Sequence, residues 1–354
     1  MSVDPSMGSP DPSSPLMSST SKLKMAAFGL NISRGLTATW GEGAIAHMDW
    51  DQQLRIARVA EAAGLEAILP VARFRGYAGD SGWSRESYDS IPWAAGVSAV
   101  TSRIQVMSTI HVPLNHPTKL AKELATVDHV SQGRSGINVV AGWNIDEFAM
   151  FGIRQLEHDD RYVQAAEWLS IVRRLWTEEQ PFDFDGRFYT LRDVYSEPKP
   201  LQRPRPPIMN AGSSPAGRQF AAEHADLCFI AAHDLASLKD VACDVRERAA
   251  AVGRQVQVWT PTSILCGETA ADVDRRYEYF VQEKGDWAGA ESAIRAGMAG
   301  GSGVEKKLTR EMMESRVVGS FGHRLIGTPE QVVEKMQQLV DAGIDGVAGI
   351  WFDY

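Results

Sequence analysis

From Lys24 onward, short apolar runs alternate with segments in which apolar residues recur at helical spacing. Apolar runs rich in β-branched residues and bounded by turn formers are typical of buried strands. The predicted strands are MAAFGLN from Met25, LEAILPV from Leu65, RIQVMSTI from Arg103, SGINVV from Ser135, PPIMNAG from Pro206, ADLCFIA from Ala225, VQVWTPTSI from Val256 and GVAGIWF from Gly346.

The segments between these runs predict amphipathic helices, several with a capping residue at the start and a glycine at the end. Among them are DWDQQLRIARVAEAAG, HPTKLAKELATVDHVSQG, DDRYVQAAEWLSIVRRLW, SPAGRQFAAEHA and TPEQVVEKMQQLVDAG. Strands that alternate with helices favour the α/β class with a parallel sheet. Eight such strands predict a (β/α)8 TIM barrel rather than a doubly wound sheet, with the chemistry at the carboxyl ends of the strands.

Three segments depart from this repeat. Residues 1–22 are rich in serine and proline and lack the apolar centre of a signal peptide, so they predict a disordered tail before a barrel domain over residues 23–354. Gly76–Asp89 and Asp286–Gly322, with GMAGGSG in the latter, do not fit the repeat either, and long insertions of this kind are usually lids, binding loops or disordered segments.

Composition narrows the class of function. The chain has 354 residues, of which 44% are hydrophobic and 23% charged, and its net charge is −9. This charge, without blocks of lysine or arginine, argues against a general nucleic-acid binder and favours a small-molecule partner. The three cysteines form no metal-ligand pattern, and no run is long and apolar enough to span a membrane, so we expect no metal and a cytoplasmic location.

Asn138 interrupts the buried run in GRSGINVVAGWNIDEF, Gly133–Phe148. An amide inside such a run costs free energy unless backbone, water or a ligand satisfies it. Trp143 and Glu147 follow on the next loop. Asn138 is therefore either a loop anchor or a ligand contact, Trp143 either core or a pocket wall, and Glu147 either an exposed carboxylate or part of a site.

Further candidates follow other strands. NAGSSPAG, Asn210–Gly217, opens a helix whose N–H groups and serines suit a phosphate, although a plain serine cap has the same pattern. Arg161 and Tyr162 lie in the first turn of another helix, and Arg73 follows the second strand. His111 and His116 follow the third strand and are candidates for proton carriers, although no carboxylate spacing around them indicates a metal site or triad. The sequence has no GxGxxG after a strand, no GxxxxGK[ST] and no GxSxG.

Several long motifs occur in one order along the chain: TSRIQVMSTI, GRSGINVVAGW followed by DEF, LEHDDRYVQAAEWL, DFDGRFYTLRDV followed by EPKPLQRP, and NAGSSPAGRQFAAEHAD. Through these motifs, residues 25–354 resemble the bacterial luciferase-like family of flavin-dependent monooxygenases, and especially its pyrimidine and dimethyl sulfone monooxygenases. Arg73 stands where the pyrimidine enzymes carry lysine, and relatives continue with a further helix after the last strand.

The resemblance implies FMN at the barrel mouth, bound through Ala72, Arg73, Asn138, Glu147, Arg161, Tyr162 and Ser214. It implies catalytic roles for Asn138, Thr109 and Glu147, with Thr109 near the place where O2 reacts. Reduced FMN would come from a separate NAD(P)H:flavin reductase, and O2 would be the co-substrate. Homodimers or homotetramers are implied as well.

The function predicted from this resemblance is a two-component FMN-dependent monooxygenase that oxygenates a small nitrogen heterocycle or amide. A sulfone or alkanesulfonate monooxygenase is the alternative within the same class. A deazaflavin-dependent oxidoreductase of the same superfamily and a non-catalytic flavin-binding barrel are the alternatives outside it.

Overall fold

A computed structural model describes residues 8–232, 234–300, 307–319 and 323–353. The strands are β1 Lys24–Phe28, β2 Ala67–Leu69, β3 Gln105–His111, β4 Ser135–Val140, β5 Phe182–Asp185, β6 Thr190–Val194, β7 Ile208–Asn210, β8 Leu227–Phe229, β9 Gln257–Cys266, β10 Leu325–Gly327 and β11 Gly346–Trp351. Each of the eight runs predicted to be strands overlaps one of them, and β1, β3 and β9 extend one or two residues beyond the predicted run.

Eight of these strands form a closed parallel barrel. Their order is β1, β2, β3, β4, β7, β8, β9 and β11, and β11 pairs with β1 to close the ring. The predicted (β/α)8 barrel is therefore confirmed. Since all of these strands run in the same direction, their carboxyl ends meet at one mouth. Within it, the β3–β4 register sets Thr109 beside Asn138.

Three strands lie outside the predicted set. β5 and β6 form an antiparallel hairpin that lies between β4 and β7 in the chain. β10 pairs in parallel with the last three residues of β9. Charged residues alternate with apolar ones in β5, and Arg192 and Asp193 are adjacent in β6. The buried ends of the hairpin, Phe182 and Val194, pack on the helices around the barrel. Arg174 lies 3.7 Å from the centroid of the Phe182 ring and covers it.

The helices are α1 Pro15–Ser18, α2 Trp50–Ala62, α3 Ser90–Ser98, α4 Pro117–Val130, α5 Ile145–Met150, α6 His158–Thr177, α7 Pro215–His224, α8 Leu235–Ala251, α9 Ala270–Tyr277, α10 Trp287–Gly300, α11 Arg310–Val317 and α12 Pro329–Asp341. All five predicted helices are present, as α2, α4, α6, α7 and α12. Across the described ranges, no helix has both the length and the apolar character needed to cross a membrane.

The two insertions differ in structure. Residues 76–89 form an irregular loop that ends where Asp89 caps α3. The second insertion contains α10 and α11, and its residues 301–306 and 320–322 lie outside the described part of the chain. Asp286 joins the two insertions, because its carboxylate accepts hydrogen bonds from Ser81 N at 3.0 Å and from Gly289 N at 2.8 Å.

Alternation along the strands separates two cores. Ile137 and Val139 of β4 point outward and pack against α6 and neighbouring helices. Met107 of β3 and Met209 of β7 point into the barrel, where they pack with Leu69 and Trp259. Because successive side chains of a strand point to opposite faces, Thr109 and Asn138 also point into the barrel.

The amino-terminal end of the barrel is closed by α1. Leu16 is fully buried among the inward-facing residues of the strands, and its N–H donates to Gln105 Oε1 at 3.3 Å. The predicted disorder of residues 1–22 is therefore wrong for residues 8–22, because an apolar side chain within this polar segment fills the barrel. Residues 1–7 lie outside the described residues, and the single-domain boundary at residue 23 stays a prediction.

We expect Leu16→Ala to lower the free energy of unfolding by about 2–5 kcal/mol, the usual range for deleting a buried leucine side chain. Urea denaturation followed by circular dichroism measures it. Thr20→Ala, an exposed change in the same segment, serves as the control and should leave the midpoint unchanged. Equal midpoints for both variants would mean that α1 does not fill the barrel in solution.

Candidate active site

Five polar and small residues of the predicted site meet where β2, β3 and β4 end. Thr109 and Asn138 lie on the inner face of adjacent strands. Ala72 and Arg73 follow β2, and Glu147 lies in α5, the short helix after β4. The sequence predicted each residue separately, and the closed barrel brings them together.

Asn138 is 3% exposed, and only one side of its amide has a partner. Its Nδ2 donates to Thr109 Oγ1 at 3.2 Å, while the Thr109 hydroxyl donates to Pro70 O at 2.5 Å. Asn138 Oδ1 is buried and has no hydrogen-bond partner among the described residues. An unsatisfied buried acceptor costs about 1–3 kcal/mol, which favours a ligand contact over a purely structural anchor.

Glu147 is fully buried, so the alternative of an exposed loop carboxylate is excluded. Its Oε1 accepts from Phe74 N at 3.0 Å and Arg75 N at 3.2 Å, and Arg73 Nη1 lies 3.4 Å away. This one oxygen therefore fixes the loop after β2. The second oxygen, Oε2, has no partner in the described structure.

The other buried carboxylates of the described chain differ from Glu147 in this respect. Both oxygens of Asp128, of Asp226 and of Asp286 accept hydrogen bonds from the protein. Of these four buried carboxylates, Glu147 alone keeps an oxygen without a hydrogen-bond donor.

Arg73 and Trp143 form one wall of the mouth. The Arg73 side chain is 8% exposed, and its guanidinium carbon lies 5.0 Å from the ring centroid of Tyr77 and 5.2 Å from that of Trp143. Contacts of this kind stabilise a cation by about 0.5–2 kcal/mol. Trp143 is half-buried, which makes it a wall of the site rather than part of the core.

His111 ends β3 two residues after Thr109, and its ring lies edge-on to Phe148. Its Nε2 lies 3.4 Å from Ala72 O. Burial lowers the pKa of His111; the carboxylate of Glu147 opposes this shift and the Arg73 charge adds to it. A cavity of about 50 Å³ adjoins it, lined by Ala72, Arg73, Thr109 and His111 and by the apolar side chains of Ile91, Leu114 and Phe151.

A second group of predicted residues lies at the start of α7. Ser214 caps this helix by accepting from Gly217 N at 3.1 Å, and its hydroxyl hydrogen bonds with the phenol of Tyr162. Burial raises the pKa of Tyr162. A Cβ at Gly212 would lie 2.8 Å from Tyr162 Oη, so a glycine is needed for this close approach. The result is a helix amino terminus with two hydroxyl groups.

Arg161 connects the two groups. Its side chain is buried, and Nη1 donates to Gly142 O at 2.5 Å, at the start of the loop that carries Trp143 and Glu147. Asp160, beside it in α6, instead pairs with Arg187 of the β5–β6 hairpin at 2.6 Å. The sequence predicted Arg161 as a ligand contact but not its bond to Gly142.

Some lining residues were not predicted. Ser90 Oγ accepts from Thr109 N at 2.7 Å, and Phe74 packs edge-on against Phe151 at 4.9 Å between centroids. Ser90 begins α3, far from the strand motifs, so only the fold brings it here. No cluster of potential metal ligands occurs within the described residues.

Comparison with known proteins agrees with this geometry. The family model described as luciferase-like monooxygenase matches residues 27–346. The chain is 32% identical over 328 residues to an FMNH(2)-dependent dimethylsulfone monooxygenase of Pseudomonas putida, covering 91% of this chain and 88% of the relative. It is 27% identical over 313 residues to the pyrimidine monooxygenase RutA of Allorhizobium ampelinum, covering 84% and 82%.

Among solved structures, DmoA from Hyphomicrobium sulfonivorans superimposes with a TM-score of 0.80 at 21% identity, covering 94% of this chain and 84% of its own. At this identity the match supports the fold. Together with the family match over residues 27–346, these findings establish that the chain belongs to the luciferase-like monooxygenase family.

Proposed function

We propose that this chain is an FMN-dependent monooxygenase that takes reduced FMN from a separate flavin reductase and uses O2 to oxygenate a small organic molecule. The observation that carries the proposal is the pair of buried, unpartnered acceptors, Asn138 Oδ1 and Glu147 Oε2, at the barrel mouth of a luciferase-like monooxygenase. The relatives named above are FMNH(2)-dependent or pyrimidine monooxygenases.

The residues at the mouth suit the ring of a flavin. A flavin ring is flat and carries N–H donors at its edge, and Asn138 and Glu147 offer acceptors that have no protein donor. Trp143 and Tyr77, which flank Arg73, provide flat apolar surfaces. We therefore assign the ring to Ala72, Arg73, Asn138 and Glu147, with Thr109 beside the position where O2 reacts.

The residues at the start of α7 suit the phosphate of FMN. A helix amino terminus carries partial positive charge, and hydroxyls and a guanidinium add donors that fit phosphate oxygens. Ser214 and Tyr162 already contact each other there, and Arg161 is their neighbour on α6. We assign the phosphate to Ser214, Tyr162 and Arg161.

The protein's own contribution to the reaction is positioning and exclusion of water. Bound reduced FMN would supply the two electrons with which one atom of O2 enters the substrate and the other leaves as water. Glu147 keeps the loop after β2 in place, and Asn138 and Thr109 form a hydrogen-bonded pair beside the cavity. Burial of these polar groups strengthens their interactions with any developing charge.

For the substrate, we propose a nitrogen heterocycle or amide, since the pyrimidine monooxygenase RutA of Allorhizobium ampelinum shares 27% identity with this chain. A sulfone is the second candidate, since the dimethylsulfone monooxygenase of Pseudomonas putida shares 32% identity with this chain. A homodimer or homotetramer stays a prediction.

Oxygen uptake with FMN, NADH and a generic flavin reductase tests the activity. We expect product-linked uptake with at least one member of a panel of uracil, aromatic amides and sulfones. Without the reductase, NADH oxidation should stay at the free-flavin background. Rapid NADH oxidation by the chain alone would contradict the dependence on a reductase, and deazaflavin reduction without oxygen uptake would favour the oxidoreductase alternative.

Replacing Asn138 separates ligand binding from folding. Asn138→Leu removes an unpartnered buried acceptor together with the hydrogen bond to Thr109, and these opposite effects should leave the melting temperature of the ligand-free protein nearly unchanged. Product formation should fall about 100-fold or more, the scale of losing one oriented polar contact in a transition state. A large loss of stability, with normal turnover by the folded fraction, would identify Asn138 as a structural residue.

Arg161→Ala tests the phosphate assignment. Removing a charged hydrogen bond should weaken FMN binding by about 1.5–3 kcal/mol, or roughly 10- to 150-fold in Kd. Riboflavin, which lacks the phosphate, should lose much less affinity, and fluorescence titration measures both. Equal losses would instead mean that Arg161 acts on the pocket only through its bond to Gly142.

A further inference from the structure

The proposed reaction requires a group that moves protons. When one atom of O2 enters the product, the other leaves as water and carries away two protons. Such a carrier should be neutral near neutral pH, should lie at the site, and should have a free lone pair. Among the residues that line the cavity at the end of β3, the imidazole of His111 has these properties.

The position of His111 follows from the strand. It lies two residues after Thr109, so both side chains are on the inner face of β3, and it is 3% exposed. It lines the same cavity as Ala72 and Thr109. A ligand that contacts Thr109 there is within reach of the next inward-facing side chain.

The hydrogen bonds of His111 determine which nitrogen carries the proton. Nε2 lies 3.4 Å from Ala72 O, and a carbonyl oxygen only accepts, so Nε2 holds the hydrogen. Nδ1 then keeps its lone pair. It is buried and has no partner among the described residues, so a donor from a bound molecule would relieve an unfavourable state.

Glu147 and Arg73 are the charged groups that act on His111. Asp89, whose carboxylate accepts from Ile91 N as the cap of α3, lines the same cavity. Burial and the Arg73 guanidinium hold the pKa of His111 below its ordinary value, against the opposing effect of Glu147. The imidazole is therefore neutral at pH 7 and able to accept a proton. Once protonated, its charge would be offset by the Glu147 carboxylate.

On the basis of the proposed function, we propose that His111 is a further catalytic residue, the proton carrier of the site. Nδ1 accepts a proton from an N–H or O–H group of the reacting molecules, whose bonding electrons stay on the donor atom. The imidazolium then returns this proton to the oxygen atom that leaves as water. The imidazole is restored, and reduced FMN and O2 supply the electrons and the oxygen.

His116 offers a matched control. It is exposed, its Nδ1 accepts from Thr118 N at 3.3 Å as the cap of α4, and its ring packs against Tyr189. Its lone pair is already used, so it has no capacity for the proposed role. The structure thus separates two histidines that the sequence left equivalent.

Kinetics of His111→Asn and His111→Gln test the role. Asn retains an acceptor near the position of Nδ1, and Gln retains a donor near the position of Nε2. Neither amide can take up a proton and release it again near neutral pH. We expect kcat to fall about 100-fold or more in both, with FMN affinity changed much less, and His116→Asn to keep the wild-type kcat. In the wild type, kcat should fall as the pH drops through a value below 6.5, and this acid limb should be absent in both variants.

A second measurement does not depend on activity. Nitrogen-15 NMR of histidine-labelled wild-type protein at pH 7, with His111 identified by its loss in His111→Asn, should give a neutral ring with hydrogen on Nε2. Wild-type kcat and pH dependence in both variants, or an imidazolium or Nδ1–H tautomer at pH 7, would overturn the inference. Failure of the wild type to consume oxygen would count against the proposed function, while the NMR result would still report on His111.

Discussion

The site depends on one buried oxygen atom, Oε1 of Glu147. It accepts hydrogen bonds from the backbone N–H groups of Phe74 and Arg75 and lies next to the Arg73 guanidinium. An ionised carboxylate is costly to bury unless it is paired and hydrogen bonded, and these donors meet that requirement for Oε1. The loop after β2 is thereby held against α5. That contact positions Ala72 and Arg73 beside the ends of β3 and β4.

Because Glu147 uses only one of its oxygens for this purpose, the same residue both builds the mouth and leaves binding capacity in it. Asn138 divides its amide in the same way, with Nδ2 bound to Thr109 and Oδ1 without a partner. His111 does so with its two ring nitrogens. In each of these three residues one polar atom is fixed by the protein, which orients the other toward a fixed position. This is the arrangement that preorganised binding requires.

The sequence predicted the barrel because eight short, continuous apolar runs alternate with segments in which apolar residues recur at helical spacing. It did not predict the β5–β6 hairpin, because the hairpin strands carry charged residues. It did not predict β10, because the apolar run there consists of Leu325 and Ile326 alone. It also missed α1, since a single leucine in a polar segment carries no periodic signal. Leu16 is buried only because its side chain fills the amino-terminal end of the barrel, which forms when the strands close into a ring.

At the site, the sequence identified the residues but not which of their polar atoms bond to the protein and which have no protein partner. The strand pattern indicated Asn138, yet its pairing with Thr109 follows from the β3–β4 register. Likewise, nothing in the spacing of His111 and His116 distinguishes them. The difference arises because the strand ends between them: the first histidine faces the barrel, and the second begins α4 and caps it. A side chain's free lone pair is a property of its neighbours in space, and these neighbours come from the loop after β2 and from α5, which lie apart in the chain.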